Sequence, residues 1–317
     1  MNKRVLVTGA CGQIGSELVI GLKAKGYSVI ATDLRKPAKR LEGADEFVVS
    51  DVLESAQLAD IVSKYKPVQI YHLAALLSAV GEKNPDLAWE VNMKGLKNIL
   101  DVAVQHQVSK VFYPSTIAVF GPNSPKQNTP QFTVTEPTTI YGISKLAGER
   151  WCAYYYQKHG LDVRSLRYPG LISYKTRAGG GTTDYAVDIF FDAVAKGTYC
   201  SFLTESTYLP MMYMPDAIRG TIELMEADAN CLSHRSSYNF SAMSFSPKEV
   251  AEEIKKHLPD FSIDYAPDFR QDIANSWPAS IDDSLAQNDW GWKAQYDLAT
   301  MTEDMLANIN ETKLAIF

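Results

Sequence analysis

Cysteine is scarce in this sequence, and its few copies are scattered. The 317 residues include four cysteines, at positions 11, 152, 200 and 231, with no CxxC pair among them. A disulfide framework needs more closely spaced cysteines, and structural zinc sites usually bring their ligands in closely spaced pairs. We therefore expect reduced thiols in a reducing compartment and no metal site.

Long apolar runs and long basic runs are also missing. The longest apolar stretches, such as residues 68–80, are interrupted by polar residues and fall short of the ~20 apolar residues that span a bilayer. The N-terminal segment leads directly into an apolar run at residues 5–7, unlike a secretory signal. The net charge is −6, and the basic cluster at residues 35–40 is short enough to be a solvated loop. We expect a cytoplasmic protein that binds neither membranes nor nucleic acids.

What the sequence does contain is a regular alternation of short apolar runs and helical patterns. The apolar runs predict strands at residues 5–7, 29–32, 47–49, 70–73, 111–113 and 163–167. Helical spacing predicts helices at residues 14–25, 58–65, 87–106 and 140–158. Strands that are apolar on both sides and separated by helices indicate a parallel sheet covered on both faces, with right-handed crossovers. The predicted fold class is α/β, a doubly wound parallel sheet of the Rossmann type.

The alternation stops after Gly170. Three consecutive glycines at residues 179–181 predict a mobile loop, and further helices are predicted at residues 185–196, 246–257 and 298–309. No repeat or linker separates this part from the first. We predict a first domain over residues 1–170, with a sheet completed by later segments, and a smaller C-terminal substrate lobe over residues 171–317.

Three glycines follow the first predicted strand with the spacing GxxGxxG. Gly9 permits the turn, Gly12 lets the backbone approach a pyrophosphate, and Gly15 lets helix and strand pack closely. Gln13 and Ile14 open the helix, whose free N–H groups face the phosphates. A glycine triplet alone is a weak signal, because an ordinary strand-to-helix turn also uses glycine. Its place between the first strand and the first helix favours a dinucleotide site.

An acidic residue at the end of the second predicted strand supports this interpretation. Asp33 lies eighteen residues after Gly15, where a carboxylate can accept hydrogen bonds from both ribose hydroxyls and would repel a 2′-phosphate. The residue therefore favours NAD over NADP. Leu34 and Arg35 follow it and join the predicted cofactor site, although Arg35 could also accommodate a 2′-phosphate.

A second acidic residue, Asp51, ends the third predicted strand. Together with Val52 it forms a place where the adenine could rest. The alternative is a helix cap, because an acid and a hydroxyl residue follow at positions 54 and 55.

A YxxxK pattern carries the candidate chemistry. Tyr141 and Lys145 are four residues apart on a predicted helix, so both side chains can reach one site. We expect the lysine ammonium and a nicotinamide ring to lower the pKa of the tyrosine, whose phenolate then takes a proton from a substrate hydroxyl. Thr116, at the end of the fifth strand, is predicted to hydrogen-bond the reacting oxygen, with Ser115 as its rival. Chance alone also produces YxxxK on exposed helix faces.

Taken in order, these stretches resemble the extended short-chain dehydrogenase/reductase family over nearly the whole chain. The matching stretches are the glycine loop, HLAA at residues 72–75, VNMKG at 91–95, PST at 114–116 with VFG at 119–121, and YGISK at 141–145. The resemblance implies NAD as cofactor. It also implies further cofactor-site residues, namely Leu73, Ala74, Ala75, Asn92, Tyr168 and Pro169. Asn92 and His72 have an alternative interpretation as buried polar groups held by the backbone.

Two substrate classes compete within that family. Many members are nucleotide-sugar epimerases or dehydratases, which usually carry an Asn in an RYxN pattern after the sixth strand to hold the diphosphate. This chain has RYPG at residues 167–170, and Gly170 cannot take that role. A third, non-enzymatic hypothesis is a redox-sensing binding module on the same fold, but such proteins tend to lose the tyrosine or the lysine.

A closer resemblance is to the short-chain dehydrogenases that oxidise L-threonine at its 3-hydroxyl to 2-amino-3-oxobutanoate, a step of threonine catabolism. It is carried by residues 76–82, 167–173, 179–186 and 277–283. The resemblance implies a homodimer that pairs helices 87–106 and 140–158, and an amino-acid substrate. The implied substrate residues are Ser78, Thr116, Tyr141, Gly170, Thr182, Thr183, Asp184 and Trp277.

Among these, Ser78 and Thr182 or Thr183 are predicted to bind the substrate carboxylate, and Asp184 its ammonium group. The alternative is structural. Thr183 or Asp184 would then cap the predicted helix at residues 185–196, and the other polar residues would belong to a solvated loop.

Overall fold

A seven-stranded parallel sheet forms the centre of the molecule. The computed structural model describes residues 3–175, 177, 179 and 181–314. Numbered along the chain, the strands of this sheet are β1 (Arg4–Thr8), β2 (Ser28–Asp33), β3 (Glu46–Val49), β4 (Gln69–His72), β5 (Lys110–Thr116), β6 (Asp162–Tyr168) and β10 (Ser237–Asn239). Their order across the sheet is β10-β6-β5-β4-β1-β2-β3, with every neighbouring pair parallel. This confirms the predicted doubly wound α/β fold class.

Helices cover both faces of the sheet, because alternate side chains of each strand point to opposite faces. On one face, Val5 and Val7 pack in the same core as α1 (Gln13–Ala24) and α8 (Met214–Glu226). On the other face, Leu6 packs in the core formed with α2 (Ser55–Tyr65), α5 (Gly95–Gln105) and α6 (Ile140–His159). The two cores make the sheet the rigid support on which the strand ends and helix N-termini are held.

The helix predicted over residues 87–106 is not a single α-helix. The chain forms α3 (Ser78–Lys83), α4 (Pro85–Trp89), a π-helical turn (Glu90–Lys94) and then α5. A π-turn adds a residue to the helical turn, and such turns often occur at functional sites. This one carries Asn92. The apolar periodicity of the sequence continues through the turn and does not reveal it.

The chain after residue 170 both completes the central sheet and builds a smaller lobe. Strand β10 and helix α8 belong to the central sheet and its covering layer. The lobe contains one three-stranded sheet, made of β7 (Gly170–Ile172), β9 (Leu209–Tyr213) and β11 (Met243–Phe245), and one parallel pair, β8 (Thr198–Ser201) with β12 (Ser262–Tyr265). Its helices are α7 (Tyr185–Lys196), α9 (Pro247–His257), α10 (Arg270–Ser276) and α12 (Leu298–Leu314), whereas α11 (Ser284–Trp290) packs in the core of the central sheet through Ala286.

The surface of the helices predicted to pair in a dimer carries exposed apolar side chains. Leu87 and Trp89 on α4, and Ile143 and Tyr154 on α6, are between 44% and 49% exposed. The homodimer itself stays a prediction. Within the ranges described above, no helix is long and apolar enough to cross a membrane.

Candidate active site

The glycine-rich loop lies between β1, α1 and the segment that follows β4. Gly9 has a φ of +65°, and a Cβ atom placed on it would lie 2.6 Å from the backbone nitrogen of Ala74. A Cβ on Gly15 would lie 2.2 Å from the carbonyl oxygen of Gly9. Both glycines therefore allow backbone segments to come closer than any side chain would permit. The structure brings Leu73 and Ala74 next to this loop, with Ala75 following directly in the chain.

The start of α1 and the end of β2 complete a cradle for a dinucleotide. Helix α1 begins at Gln13 and Ile14, directly after Gly12 at the N-cap. The first N–H groups of a helix have no partner within the helix and favour an anion such as a pyrophosphate. Asp33 ends β2, and its Oδ2 accepts a hydrogen bond of 2.9 Å from the backbone N–H of Cys11 in the loop. The residues present therefore fit NAD, with glycines where the backbone segments of the cradle come close and a carboxylate beside it.

Four further residues predicted for the cofactor follow β2 and β3, namely Leu34, Arg35, Asp51 and Val52. The first two are exposed. Asp51 accepts a hydrogen bond of 2.9 Å from the backbone N–H of Leu53 and so forms a turn ahead of α2. Val52 is 7% exposed, and a Cβ on Gly95 of α5 would lie 2.9 Å from it. The structure thus directs the Val52 side chain into the helix layer and leaves Asp51 partly exposed.

Tyr141 lies in the first turn of α6, and two local features place that turn against the end of β5. The hydroxyl of Thr139 at the N-cap accepts a hydrogen bond of 3.1 Å from the backbone N–H of Gly142. A Cβ on Gly142 would lie only 2.2 Å from the carbonyl oxygen of Ala118, which directly follows β5. Glycine at this position lets the helix approach closely enough for Tyr141 to meet the strand end.

Lys145 is buried one turn further along α6. Its Nζ donates a hydrogen bond of 2.7 Å to the carbonyl oxygen of Pro114 on β5 and lies 5.6 Å from the centre of the Tyr141 ring. In the chain alone, burial raises the pKa of Tyr141 to about 12, against a smaller lowering by its hydrogen bond with Thr116. Burial lowers the pKa of Lys145 to about 7. In the chain alone the pKa of Tyr141 is therefore raised, and the lowering expected from the lysine ammonium together with a nicotinamide ring stays a prediction.

The structure separates the two rival hydroxyls at the end of β5. Ser115 is 2% exposed, and its Oγ donates a hydrogen bond of 2.7 Å to Glu149. Thr116 is partly exposed, and its Oγ1 accepts a hydrogen bond of 3.2 Å from the backbone N–H of Ala118. The Thr116 side chain also lies close enough to Tyr141 to lower the pKa of the phenol. Of the two hydroxyls, the one beside Tyr141 belongs to Thr116.

Asn92 and His72 are buried and partnered. The Asn92 side chain accepts a hydrogen bond from the backbone N–H of Leu76, at 2.8 Å, and donates to the carbonyl oxygen of Leu76 and to Ser144. His72 hydrogen-bonds Thr8 at 2.9 Å, and burial lowers its pKa to about 3. Asn92 therefore fixes the loop after β4 through the backbone of Leu76, which is the backbone-held alternative, whereas His72 is held by the side chain of Thr8.

Tyr168 lies away from the cradle. Its side chain is 4% exposed, packs between Phe112 and Phe240, and hydrogen-bonds Thr221. A tyrosine held in this way can offer only backbone atoms to a cofactor. Pro169, the next residue predicted for the cofactor, is also buried.

Among the predicted substrate residues, Gly170 and Thr183 lie in direct contact. A Cβ on Gly170 would lie 2.7 Å from the Cβ of Thr183 and 2.4 Å from the Sδ of Met211. Trp277 is 9% exposed in the core of the smaller lobe, and Tyr141 packs against that same core. The structure therefore brings Thr183 and Gly170 together, and it places Trp277 in the core against which Tyr141 packs.

Asp184 occupies the N-cap position of α7 without capping the helix through its side chain. Its Oδ2 instead accepts a hydrogen bond of 2.5 Å from the backbone N–H of Gly181. Thr182 between them is 4% exposed. Ser78 is the first residue of α3 and is partly exposed. The predicted mobile loop includes Gly180, which lies outside the described residues.

Two buried charged residues next to the site were not predicted from the sequence. Glu149 and Arg167 are 0% and 3% exposed and form an ion pair of 2.9 Å. One signal was available, because Tyr141, Lys145 and Glu149 are spaced four residues apart and therefore share a helix face. The contact with Arg167 depends on how α6 packs on the sheet, which helical spacing does not give.

Comparisons with known proteins agree with this geometry. The family model described as the NAD dependent epimerase/dehydratase family matches residues 5–239. A solved structure described as GalE-like L-threonine dehydrogenase from Cupriavidus necator, holo form, is 54% identical, has a TM-score of 0.94, and covers 96% of this chain and 99% of its own. A monomeric L-threonine 3-dehydrogenase from a metagenome is 48% identical with a TM-score of 0.93, covering 97% and 99%. An uncharacterized epimerase/dehydratase of Staphylococcus saprophyticus is 50% identical over 311 residues, 96% of each chain.

Proposed function

The chain belongs to the NAD-dependent epimerase/dehydratase family, and we propose that it oxidises the 3-hydroxyl of L-threonine to 2-amino-3-oxobutanoate. The family membership confirms the resemblance drawn from the motifs, and NAD is the cofactor of the family. In the proposed reaction, threonine loses a hydride from C3 and a proton from its 3-hydroxyl. NAD becomes NADH, and one proton is released.

The observation that carries this proposal is the lack of space at Gly170. Any side chain there would meet the Sδ of Met211 and the side chain of Thr183 at less than 3 Å. An asparagine that holds the diphosphate of a nucleotide sugar therefore cannot occupy this position without moving the strand and the loop. Similarity to solved threonine dehydrogenases at 48% to 54% identity supports the same substrate class.

Tyr141 acts as the base in the proposed mechanism. Its phenolate takes the proton of the 3-hydroxyl, and the Thr116 hydroxyl holds the reacting oxygen by a hydrogen bond. When bound, NAD supplies the acceptor for the hydride that leaves C3. Lys145 places a positive charge, or a neutral hydrogen-bond donor, near the phenol. The hydrogen bond from its Nζ to the carbonyl oxygen of Pro114 holds this side chain in position. Trp277 contributes apolar surface that excludes water from the reacting groups.

The amino-acid end of the substrate is assigned to the segment before α7. Thr182 or Thr183, together with Ser78 at the start of α3, donates hydrogen bonds to the carboxylate. Asp184 accepts from the ammonium group. The contact of Thr183 with Gly170 supports this assignment, because it brings the segment next to the carboxyl end of β6, where ligands bind in doubly wound sheets.

Asp184→Asn is expected to raise the KM for threonine by roughly 10- to 100-fold, since a charge-assisted hydrogen bond contributes about 1.5–3 kcal/mol. The amide keeps the size of the side chain and an oxygen for the N–H of Gly181. The dissociation constant for NAD should stay unchanged. Initial rates of NADH formation over a range of threonine concentrations measure the effect.

Two controls make the Asp184 result specific. Asp192→Asn removes a carboxylate of the same helix whose partner is Lys196 at the surface, and it should leave the KM unchanged. 3-Hydroxybutyrate has no ammonium group, so we expect it to react slowly and its rate not to respond to Asp184→Asn. A threonine KM that is the same in the Asp184 variant and the wild type would show that Asp184 only orders the loop.

The assembly and the location of the enzyme stay predictions. We propose a cytoplasmic homodimer that pairs the surfaces of α4 and α6, where Leu87, Trp89, Ile143 and Tyr154 are exposed. The relative described as monomeric is 48% identical, so an overall likeness does not decide this property.

A further inference from the structure

A buried ion pair joins the three segments that carry the proposed active-site residues. Arg167 on β6 binds Glu149 on α6 through two parallel hydrogen bonds, from Nε to Oε1 and from Nη2 to Oε2, both 2.9 Å long. The Oε1 atom also accepts the 2.7 Å hydrogen bond from Ser115 on β5. All three side chains are at most 3% exposed. They form a bridge from α6 across the ends of two neighbouring strands.

The register of the sheet explains why these residues meet. Ser115 is paired with Arg167 across β5 and β6, and Arg167 is paired with Asn239 across β6 and β10. Paired residues of neighbouring strands point to the same face, which here is the face covered by α6. The guanidinium also donates hydrogen bonds to the Oδ1 of Asn239, at 3.1 Å, and to the carbonyl oxygen of Gln131, at 3.2 Å.

The residues of this bridge lie close in the sequence to residues of the proposed site. Ser115 precedes Thr116, and Arg167 lies three residues before Gly170. Glu149 lies two turns after Tyr141 on the same helix face, with Lys145 between them. The bridge therefore fixes how far α6 stands from the ends of β5 and β6, and with it the separation of the phenol from the threonine hydroxyl.

Stability alone is a weak reason for such a pair. Removing two charges from water costs several kcal/mol for each ion, and replacing a buried pair by apolar residues is often neutral or stabilising. A bidentate arginine–carboxylate contact supplies direction as well as energy. In this protein the contact fixes the orientation of α6 relative to the ends of β5 and β6.

We propose that Glu149 and Arg167, together with Ser115, are positioning residues that set the geometry between Tyr141 and Thr116. They touch neither substrate nor cofactor and act through the backbone of α6, β5 and β6. Their effect on turnover depends on the proposed threonine oxidation, whereas their effect on the surroundings of Tyr141 does not.

The kinetic test uses two variants that keep both charges of the Glu149–Arg167 pair. Ser115→Ala removes one hydrogen bond and leaves the ion pair, and Arg167→Lys keeps the charge but cannot bind both carboxylate oxygens. We expect kcat for threonine to fall roughly 10-fold in the first and roughly 10²-fold in the second, because misplacement of reacting groups by about 1 Å has effects of this size. The dissociation constant for NAD should not change.

Matched controls come from the same strand. Ser165 is a buried serine whose hydroxyl bonds Ser237. Arg164 is a buried arginine that binds Asp162 at 2.7 Å, near the start of β6 and away from the site. Ser165→Ala and Arg164→Lys should lower the melting temperature about as much as the test variants while leaving kcat unchanged. Equal losses of kcat in the controls would show that general destabilisation causes the effect and would overturn the proposal.

A spectroscopic measurement separates this proposal from the proposed function. Tyrosine labelled with ¹³C at Cζ gives one NMR resonance for each ring, and the resonance of Tyr141 is the one lost in Tyr141→Phe. It should shift in Ser115→Ala and Arg167→Lys and stay in place in both controls. A shift without threonine oxidation by the wild type would support the positioning role and reject the function. An unshifted resonance in folded Arg167→Lys would overturn the positioning role.

Discussion

Tyr141→Phe is expected to lower kcat for threonine by roughly 10²- to 10⁴-fold, which is the range that general acid–base catalysis contributes. The variant keeps the ring that packs against the lobe core and removes only the group that exchanges the proton. NAD binding should be retained. Tyr113→Phe is the matched control, because Tyr113 lies 4.8 Å from the same Lys145 Nζ and its hydroxyl has no partner among the described residues. Near-normal turnover by Tyr141→Phe would remove this residue from the mechanism.

The pH dependence of the wild type tests the same assignment. Burial holds the pKa of Tyr141 at about 12 in the chain alone, so the phenolate fraction increases with pH through the neutral and alkaline range. Since Tyr141 must be deprotonated to act as the base, kcat/KM should increase with pH above 7, where Lys145 also begins to lose its proton. A profile that is flat from neutral to alkaline pH would contradict a tyrosine base.

Gly9→Ala is expected to weaken NAD binding by roughly 100-fold, or about 2.7 kcal/mol. The added Cβ would meet the backbone of Leu73 and Ala74 at 2.6 to 2.8 Å, and backbone cannot rotate away as a side chain can. Either the glycine loop or the segment after β4 must then move, and both belong to the cradle. Titration of intrinsic or NADH fluorescence measures the dissociation constant.

Gly26→Ala is the control that separates the steric clash at Gly9 from the strain of a positive φ. Gly26 also has a positive φ, of +81°, but a Cβ there has no neighbour within 4 Å. Both variants pay about 1–2 kcal/mol for the left-handed conformation, so both should unfold more easily. Only Gly9→Ala should lose affinity for NAD. If Gly26→Ala weakens NAD binding equally, the close approach at Gly9 is not what holds the cofactor site in place.

The central sheet and helix α6 could be predicted because local sequence specifies them. The strand runs, the glycine spacing and the YxxxK pattern are each contained within a few residues, and they locate β1 to β6 and put Tyr141 on a helix. The choice between Ser115 and Thr116 could not be made from the sequence. Ser115 is bonded to Glu149 on α6, whereas Thr116 at the end of the strand lies beside Tyr141, and both contacts are visible only in the folded protein.

Features that depend on distant contacts were missed for a related reason. Strand β10 is three residues long and follows an irregular segment, so its pairing with β6 becomes visible only in the folded sheet. The π-turn around Asn92 keeps the apolar pattern of an α-helix. The YxxxK pattern gives the spacing of Tyr141 and Lys145 but not the burial that shifts both pKa values in the chain alone.

The most direct test of the account is the reaction of the wild-type chain with NAD and L-threonine beside a parallel reaction with UDP-glucose. NADH absorbance and product analysis follow both. We predict that NADH accumulates with threonine, in step with 2-amino-3-oxobutanoate, and that UDP-glucose is recovered unchanged. Conversion of UDP-glucose to its 4-epimer or to a dehydrated sugar, with no NADH formed from threonine, would contradict the account.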